Sequence, residues 1–230
     1  MFCGLLVVVC LMGERAVGCV DAGWAGVWGR LGAVRILPLV NFDDVEQAVA
    51  TARALMRGGI DCVEVTFRTR AAVEAIRALS VLDGLFVAAG TVLSVGQLEQ
   101  ARLAGAQLAL APGSNFEVIR AARERGLPFV AGAGTASEVE QLRHIGVRVV
   151  KVFPFRTVGG VEFLRSLAAV YPEMRFVPTG GIDQSNLSEA ASAPGVLAVG
   201  GSWIAAPELI RAGRFDQIEQ NARAARMLLR

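Results

Sequence analysis

The sequence contains almost no lysine. Of its 230 residues, 22 are arginine and one, Lys151, is lysine. A guanidinium keeps its proton at any useful pH, whereas an amine can lose it. Lys151 lies in the apolar stretch RVVKVFPF at 148–155, where a charge is costly to bury. A lysine at this position indicates a function that needs an amine and that arginine does not supply.

Histidine and cysteine are also scarce. The single histidine, His144, excludes a histidine-rich metal site. The four cysteines, Cys3, Cys10, Cys19 and Cys62, form no CxxC pair, which argues against a disulfide framework and for a reducing compartment. We therefore predict a cytoplasmic protein that uses neither a metal nor another cofactor.

Membrane-spanning runs and basic clusters are missing too. The run LLVVVCLM at 5–12 is shorter than the roughly 20 apolar residues that span a bilayer, and no basic residue precedes it as in a signal peptide. The net charge of +2 comes from scattered residues, so we predict no membrane or nucleic-acid partner. We interpret residues 1–30 as an N-terminal extension, either disordered or a mis-assigned start, and residues 31–230 as one domain. Within this extension, Trp24 and Trp28 are predicted to begin the ordered part.

From residue 35 onward, runs rich in Val, Ile, Leu and Ala alternate with segments of helical spacing. Eight runs typical of buried strands begin near Arg35, Asp61, Leu85, Gln107, Pro128, Val147, Met174 and Val196. Five of the helical segments open on a capping motif: NFDD, SVGQ, SNFE, TASE and DQSN. Eight strand–helix units predict a single-domain (β/α)8 TIM barrel. The alternative is a doubly wound open sheet, which usually has fewer units and a GxGxxG turn where this sequence has ILPLVN.

The second predicted strand carries an acid in an apolar setting. The chemistry of such barrels lies at the carboxyl ends of the strands. Side-chain alternation places Cys62, Glu64, Thr66 and Arg68 toward the interior or the mouth. A carboxyl group there is suited to general acid–base catalysis. A buried structural ion pair is the alternative.

The sixth predicted strand carries the lysine, since Val149, Lys151 and Phe153 share one face. A neutral amine is a nucleophile that condenses with a ketone or an aldehyde to give an imine. We therefore predict that Lys151 forms an imine with its substrate. The alternative is a lysine at the barrel rim with its amine in solvent.

Glycine pairs follow the last two strands, in PTGGID at 178–183 and VGGSW at 199–203. Loops after strands seven and eight commonly bind phosphate in this architecture, because bare backbone N–H groups approach an anion closely. The predicted ligand is a phosphorylated carbonyl compound.

Five stretches resemble a known family: GGIDCVEVTFRT, AAGTVLSVGQLEQARLAGAQLALAPG, VKVFP, PTGGI and VGGSW. The family is that of 2-keto-3-deoxy-6-phosphogluconate (KDPG) and 4-hydroxy-2-oxoglutarate (KHG) aldolases. The resemblance implies a metal-free, class I (Schiff-base) lyase, usually a homotrimer. It would cleave a phosphorylated 2-keto acid to pyruvate and glyceraldehyde 3-phosphate in carbohydrate breakdown by the Entner–Doudoroff pathway.

The resemblance also implies roles for single residues. Lys151 matches the Schiff-base lysine of the K-x-F-P motif, and Glu64 matches the proton-shuttling glutamate of E-V-T-x-R-T. Arg68 matches the arginine that holds the pyruvate carboxylate. The pyruvyl end would be lined by Thr91, Pro112 and Phe153, and the phosphate-binding turns would be formed by Gly180, Gly181, Gly201 and Ser202.

One departure from the family falls beside the K-x-F-P motif. Phe155 and Arg156 follow it where the family usually has Ala-Glu, so either substrate contacts differ there or Arg156 adds positive charge near the phosphate. The natural substrate therefore stays open between KDPG, its galactonate-derived epimer and KHG. An isomerase or epimerase on a phosphate-binding barrel, and a binding protein without catalysis, are the rival functions.

Overall fold

The computed structural model of the protein describes residues 24–229. Eight strands alternate with helices along this part of the chain: β1 (Ile36–Val40), β2 (Cys62–Thr66), β3 (Phe86–Gly90), β4 (Leu108–Leu110), β5 (Phe129–Ala133), β6 (Val149–Val152), β7 (Arg175–Pro178) and β8 (Val199–Gly201). They form one parallel sheet in the order β7-β6-β5-β4-β3-β2-β1-β8. The predicted (β/α)8 barrel is confirmed.

The barrel closes at a seam between β7 and β8. Isolated bridges join these strands, Phe176 with Val196 and Thr179 with Gly200. A Cβ on Gly200 would lie 2.3 Å from Thr179 Oγ1. A glycine at this position therefore leaves space for the Thr179 side chain where the two strands meet.

Ten helices accompany the described strands: α1 (Ala25–Val34), α2 (Val45–Arg57), α3 (Ala72–Ser80), α4 (Val95–Leu103), α5 (Phe116–Glu124), α6 (Ala136–His144), α7 (Gly160–Val170), α8 (Leu187–Ser192), α9 (Pro207–Arg211) and α10 (Phe215–Leu228). Four predicted capping motifs are confirmed at α2, α4, α5 and α6. There the side chains of Asp44, Ser94, Asn115 and Thr135 accept hydrogen bonds from backbone N–H groups of the first turn.

The fifth capping motif, DQSN at 183–186, is wrong as a helix cap. Helix α8 begins at Leu187, and Asn186 makes no side-chain cap bond. Instead, Asp183 accepts from the backbone N–H of Ser185 at 2.8 Å, and Asn186 donates to the carbonyl of Gly181 at 2.9 Å. The motif therefore supports the Gly-Gly turn that precedes it rather than the helix that follows.

Helix α1 covers the end of the barrel where the strands begin. Leu31 and Val34 are buried and Trp28 packs against the core, beside Phe129 and Val147 at the starts of β5 and β6. The predicted boundary between residues 30 and 31 falls inside this helix. The apolar run at 5–12 and the first three cysteines lie outside the described residues. Among residues 24–229, no helix combines the length and the hydropathy needed to cross a membrane.

Candidate active site

A lysine–glutamate pair crosses the interior of the barrel. Lys151 Nζ donates to Glu64 Oε1 at 2.9 Å. The two side chains are 4% and 0% exposed. Strands β6 and β2, which carry them, are separated by three strands in either direction around the barrel, so both side chains point inward. The structure brings together the two residues for which the sequence predicts a chemical role.

Small residues lie beside this pair on the neighbouring strands, and one of them leaves room for the carboxylate. Glu64 lies in register with Ala88 on β3, and Lys151 lies in register with Gly132 on β5. A Cβ on Gly90, at the end of β3, would lie 2.2 Å from Glu64 Oε1. Sequence reasoning did not single out Gly90; a glycine closing an apolar strand is the signal for such a close approach.

The second carboxylate oxygen of Glu64 is free. Glu64 Oε2 is buried and has no hydrogen-bond partner among the described residues. A buried oxygen without a partner costs free energy unless a ligand or water satisfies it. The pair thus offers an amine nucleophile and, beside it, an oxygen able to exchange a proton with a bound molecule.

The residues predicted for the pyruvyl end lie on the loops after three strands. Thr91, half-buried after β3, has a φ of 57°, which is unusual for a β-branched residue and is typical of functional sites. Pro112 follows β4, and its carbonyl oxygen lies 2.1 Å from the position a Cβ on Gly132 would take. The ring of Phe153, after β6, packs beside Gly180.

Arg68 makes no bond to the buried pair among the described residues. Its side chain is exposed and lines a cavity of about 240 Å³ with Asn41, Asp43 and Thr69, among others. Within residues 24–229, the guanidinium makes no side-chain hydrogen bond or ion pair. The structure therefore does not join Arg68 to Lys151 or Glu64, although its loop directly follows β2.

The predicted phosphate-binding residues meet at the β7–β8 seam. Gly180 and Gly181 have φ angles of 101° and 78°, a left-handed conformation that glycine adopts without strain. Gly201 ends β8 and is buried, and Ser202 is exposed immediately after it. Because Thr179 bridges to Gly200, the two glycine turns are adjacent at the mouth.

The Gly180–Gly181 turn has its own scaffold. Asn186 accepts from the backbone N–H of Asp183 at 2.9 Å while it donates to Gly181. Hydrogen bonds from Ser185, first from its hydroxyl and then from its backbone N–H, lower the pKa of Asp183, and the more distant Arg156 adds to the effect. Sequence reasoning missed this support, because the same residues match the pattern of a helix cap.

Cys62 and His144 make no bond to Lys151 or Glu64 in the described part of the chain. Cys62 is buried at the start of β2 and donates to the carbonyl of Ile36, and burial raises the pKa of its thiol well above the ordinary value. His144 is exposed at the end of α6, before β6 begins. In the described part of the chain, no three His, Cys, Asp or Glu side chains are grouped to hold a metal ion.

Comparison with known proteins gives a consistent result. The family model "Aldolase: KDPG and KHG aldolase" matches residues 27–221. The 2-dehydro-3-deoxy-phosphogluconate aldolase of Treponema pallidum (strain Nichols) is 45% identical over 193 residues, covering 84% of this chain and 92% of that protein. The KHG/KDPG aldolase of Escherichia coli (strain K12) is 38% identical over 191 residues, covering 83% of this chain and 90% of the relative.

A solved structure agrees with these sequence matches. It is the KDPG aldolase of Legionella pneumophila, with pyruvate captured at low pH as a covalent carbinolamine intermediate. The TM-score is 0.83 at 33% sequence identity, and the match covers 86% of this chain and 97% of that one. The likeness carried by five short stretches therefore extends over most of the chain.

Proposed function

The chain belongs to the KDPG and KHG aldolase family, and from that premise we propose that it is a class I aldolase. Its substrate is 2-dehydro-3-deoxy-6-phosphogluconate, which it cleaves to pyruvate and glyceraldehyde 3-phosphate. The observation that carries the proposal is the buried contact of 2.9 Å between Lys151 Nζ and Glu64 Oε1. The family membership confirms the resemblance drawn from the sequence and removes the support for an isomerase or a pure binding protein.

The first half of the reaction forms the imine. Glu64 accepts a proton from Lys151 Nζ, and the neutral amine attacks the C2 ketone of the substrate to give a carbinolamine. Loss of the C2 oxygen as water leaves a protonated C=N bond between Lys151 and C2. This bond withdraws electrons from C3 and prepares the C3–C4 bond to break.

The second half breaks the carbon–carbon bond. Glu64 removes the proton of the C4 hydroxyl, directly or through water, and C4 becomes the aldehyde carbon of glyceraldehyde 3-phosphate. The electron pair of the C3–C4 bond moves to the imine and forms an enamine. Protonation of C3 and addition of water to the C=N bond release pyruvate and free Lys151. The unpartnered Oε2 of Glu64 provides the oxygen for these proton transfers.

We assign each end of the substrate to a separate group of residues at the mouth of the barrel. At the carboxylate end, Arg68 supplies the positive charge, and its guanidinium has no ion pair in the described chain that would compete. Thr91, Pro112 and Phe153 line the pyruvyl part. At the other end, the phosphate takes the backbone N–H groups of Gly180, Gly181 and Gly201 and the hydroxyl of Ser202.

A second candidate substrate is 4-hydroxy-2-oxoglutarate. It is favoured by the 38% identity to an enzyme named for both KHG and KDPG. The imine chemistry is the same for both, because the reacting atoms C2 to C4 are alike. The two substrates differ at the end far from C2, where KDPG carries a phosphate and 4-hydroxy-2-oxoglutarate carries a carboxylate.

Cleavage assays with the purified chain test the proposal. We expect pyruvate and glyceraldehyde 3-phosphate to appear in equal amounts from KDPG, and EDTA to leave the rate unchanged. Lys151→Arg keeps the charge opposite Glu64, so circular dichroism should match the wild type while turnover is lost. Turnover by this variant would contradict the role assigned to Lys151. Equal rates for substrates with and without the phosphate group would contradict the role assigned to the glycine turns.

We also propose that the protein is a homotrimer, as the family resemblance implies, and that it is cytoplasmic, as the cysteine pattern indicates. Sedimentation equilibrium should give three times the chain mass of 24.2 kDa. Cell fractionation should recover the activity with cytoplasmic marker enzymes. A stable monomer would contradict the homotrimer, and recovery of the activity in the periplasmic fraction would contradict the cytoplasmic location.

A further inference from the structure

The loop after β6 is fixed to the loop after β7. The backbone N–H of Phe155 donates to the carbonyl of Thr179 at 2.8 Å, and that of Arg156 donates to the carbonyl of Gly180 at 3.0 Å. Phe155 is itself only 4% exposed, so it anchors the loop in the core. Two main-chain hydrogen bonds and the buried ring of the preceding residue, Phe155, therefore hold Arg156 beside the Gly180–Gly181 turn.

The stem of the Arg156 side chain lies over Gly181. A Cβ on Gly181 would come within 2.5 Å of Arg156 Cβ and 2.9 Å of Arg156 Cδ. The residue is exposed, and within residues 24–229 its guanidinium makes no ion pair or side-chain hydrogen bond. This leaves a positive charge next to the turn without a protein partner.

The Asp183 carboxylate interacts electrostatically with this charge but makes no ion pair with it among residues 24–229. Asp183 accepts from the backbone N–H and the hydroxyl of Ser185. These bonds, ahead of the longer-range effect of Arg156, lower its pKa, so Asp183 stays charged at neutral pH. Its charge would repel an incoming phosphate, and Arg156 offsets that repulsion.

We propose that Arg156 contacts the terminal phosphate of the substrate and sets this chain's preference for phosphorylated 2-keto acids. The inference rests on the proposed function and adds to it a charged side chain beside the Gly180–Gly181 turn. A positive charge at this place strengthens binding of a dianion more than binding of a single carboxylate. Arg156 is a specificity residue and takes no part in the bond-breaking steps.

The test compares kcat/KM for KDPG and for unphosphorylated 4-hydroxy-2-oxoglutarate. In Arg156→Gln we expect the ratio of the two values to fall about ten-fold, the size of one charge-assisted hydrogen bond. The fall should appear mainly as a higher KM for KDPG. Arg156→Glu should lower the ratio further, and Arg156→Lys should restore part of it. Added salt should lower the ratio in the wild type more than in Arg156→Gln, because screening weakens an exposed charge contact.

A matched control and a binding measurement separate the possible failures. Arg120→Gln removes an exposed arginine from α5, far along the sequence from either glycine turn, and should leave the ratio unchanged. Calorimetric titration with inorganic phosphate measures the contact without catalysis, and Arg156→Glu should weaken it about ten-fold. An unchanged ratio and unchanged phosphate binding in Arg156→Glu overturn the inference. If the wild type cleaved neither substrate but its phosphate binding still depended on Arg156, the aldolase proposal would be overturned and the Arg156 contact would stand.

Discussion

The contact between Lys151 and Glu64 places two ionisable groups in the barrel interior, where isolated charges are costly. Each group offsets the cost of the other, and Gly90 leaves space for the Glu64 carboxylate. The unpartnered oxygen of Glu64 adds a further cost that a purely structural pair would avoid. At the scale of single residues, the arrangement is therefore better explained by chemistry than by stability.

Glu64→Gln tests the proton-transfer role. The amide keeps the shape and can still accept from Lys151, but it cannot take a proton from the C4 hydroxyl. We expect kcat for KDPG to fall by about 10²–10⁴, the usual contribution of general acid–base catalysis. Steady-state kinetics should show the loss in kcat rather than KM. Glu140→Gln, an exposed change on α6, serves as the control, and a wild-type kcat in Glu64→Gln would contradict the role.

Alternation along the strands was enough to predict that Glu64 and Lys151 face inward. The sequence could not predict the left-handed backbone of Thr91, because a threonine normally avoids it and only the surrounding loops hold it there. It also could not predict that Arg68 lines a cavity together with Asn41 and Asp43, since the direction of a long side chain beyond the strand end is set by tertiary contacts. The chemical pair was thus predictable and the surrounding contacts were not.

At the scale of secondary-structure elements, the seam between β7 and β8 brings together the two glycine turns that we propose bind the substrate phosphate. Both glycine turns follow these strands, and the bridge from Thr179 to Gly200 holds them together. The DQSN segment shows why one predicted helix cap is wrong: its side chains bond to the carbonyl of Gly181 and to backbone N–H groups within the segment. Local capping preference was outweighed by support of the loop.

Gly200→Ala tests the seam. The added methyl group would lie 2.3 Å from Thr179 Oγ1 and 3.1 Å from Leu39 Cδ1, so strands must shift. We expect the free energy of unfolding to fall by about 1–3 kcal/mol, as for overpacked cores, and KM for KDPG to rise as the turns separate. Urea denaturation measures the first effect.

The control for this change is Gly29→Ala in α1, where no atom of residues 24–229 beyond the adjoining helix backbone lies within 4 Å of the added methyl group. Its stability should stay the same or rise by up to about 1 kcal/mol, since alanine favours helix. Equal effects of the two substitutions would show that the β7–β8 contact is not tight.

At the scale of the whole molecule, the fold was the easiest feature to predict. Eight apolar runs with helical segments between them admit few architectures, and the barrel brings the strand ends to one mouth. The family match at 27–221 begins inside α1, so this helix at the opposite end of the barrel is part of the matched region. The sequence-based boundary between residues 30 and 31 falls within the same helix, Ala25–Val34, which begins beside Trp24.

Ligand binding should stabilise the whole domain. Pyruvate at about 100 times its dissociation constant should add about 2.7 kcal/mol to the free energy of unfolding. For a chain of this size that corresponds to a rise in Tm of roughly 5–10 °C. Differential scanning fluorimetry should show the shift in the wild type and not in Lys151→Arg, which cannot form the imine. An equal shift in both proteins would mean that pyruvate binds without bonding to Lys151.

The central claim is a covalent C=N bond between Lys151 and a 2-keto acid. Incubation with pyruvate followed by borohydride reduces such a bond to a stable secondary amine, which peptide mass spectrometry locates. Since the chain has no other lysine, only the N-terminal amine competes for the label. We predict one reduced pyruvyl group on the peptide that contains Lys151; an unmodified Lys151 peptide under conditions of full turnover would contradict the mechanism.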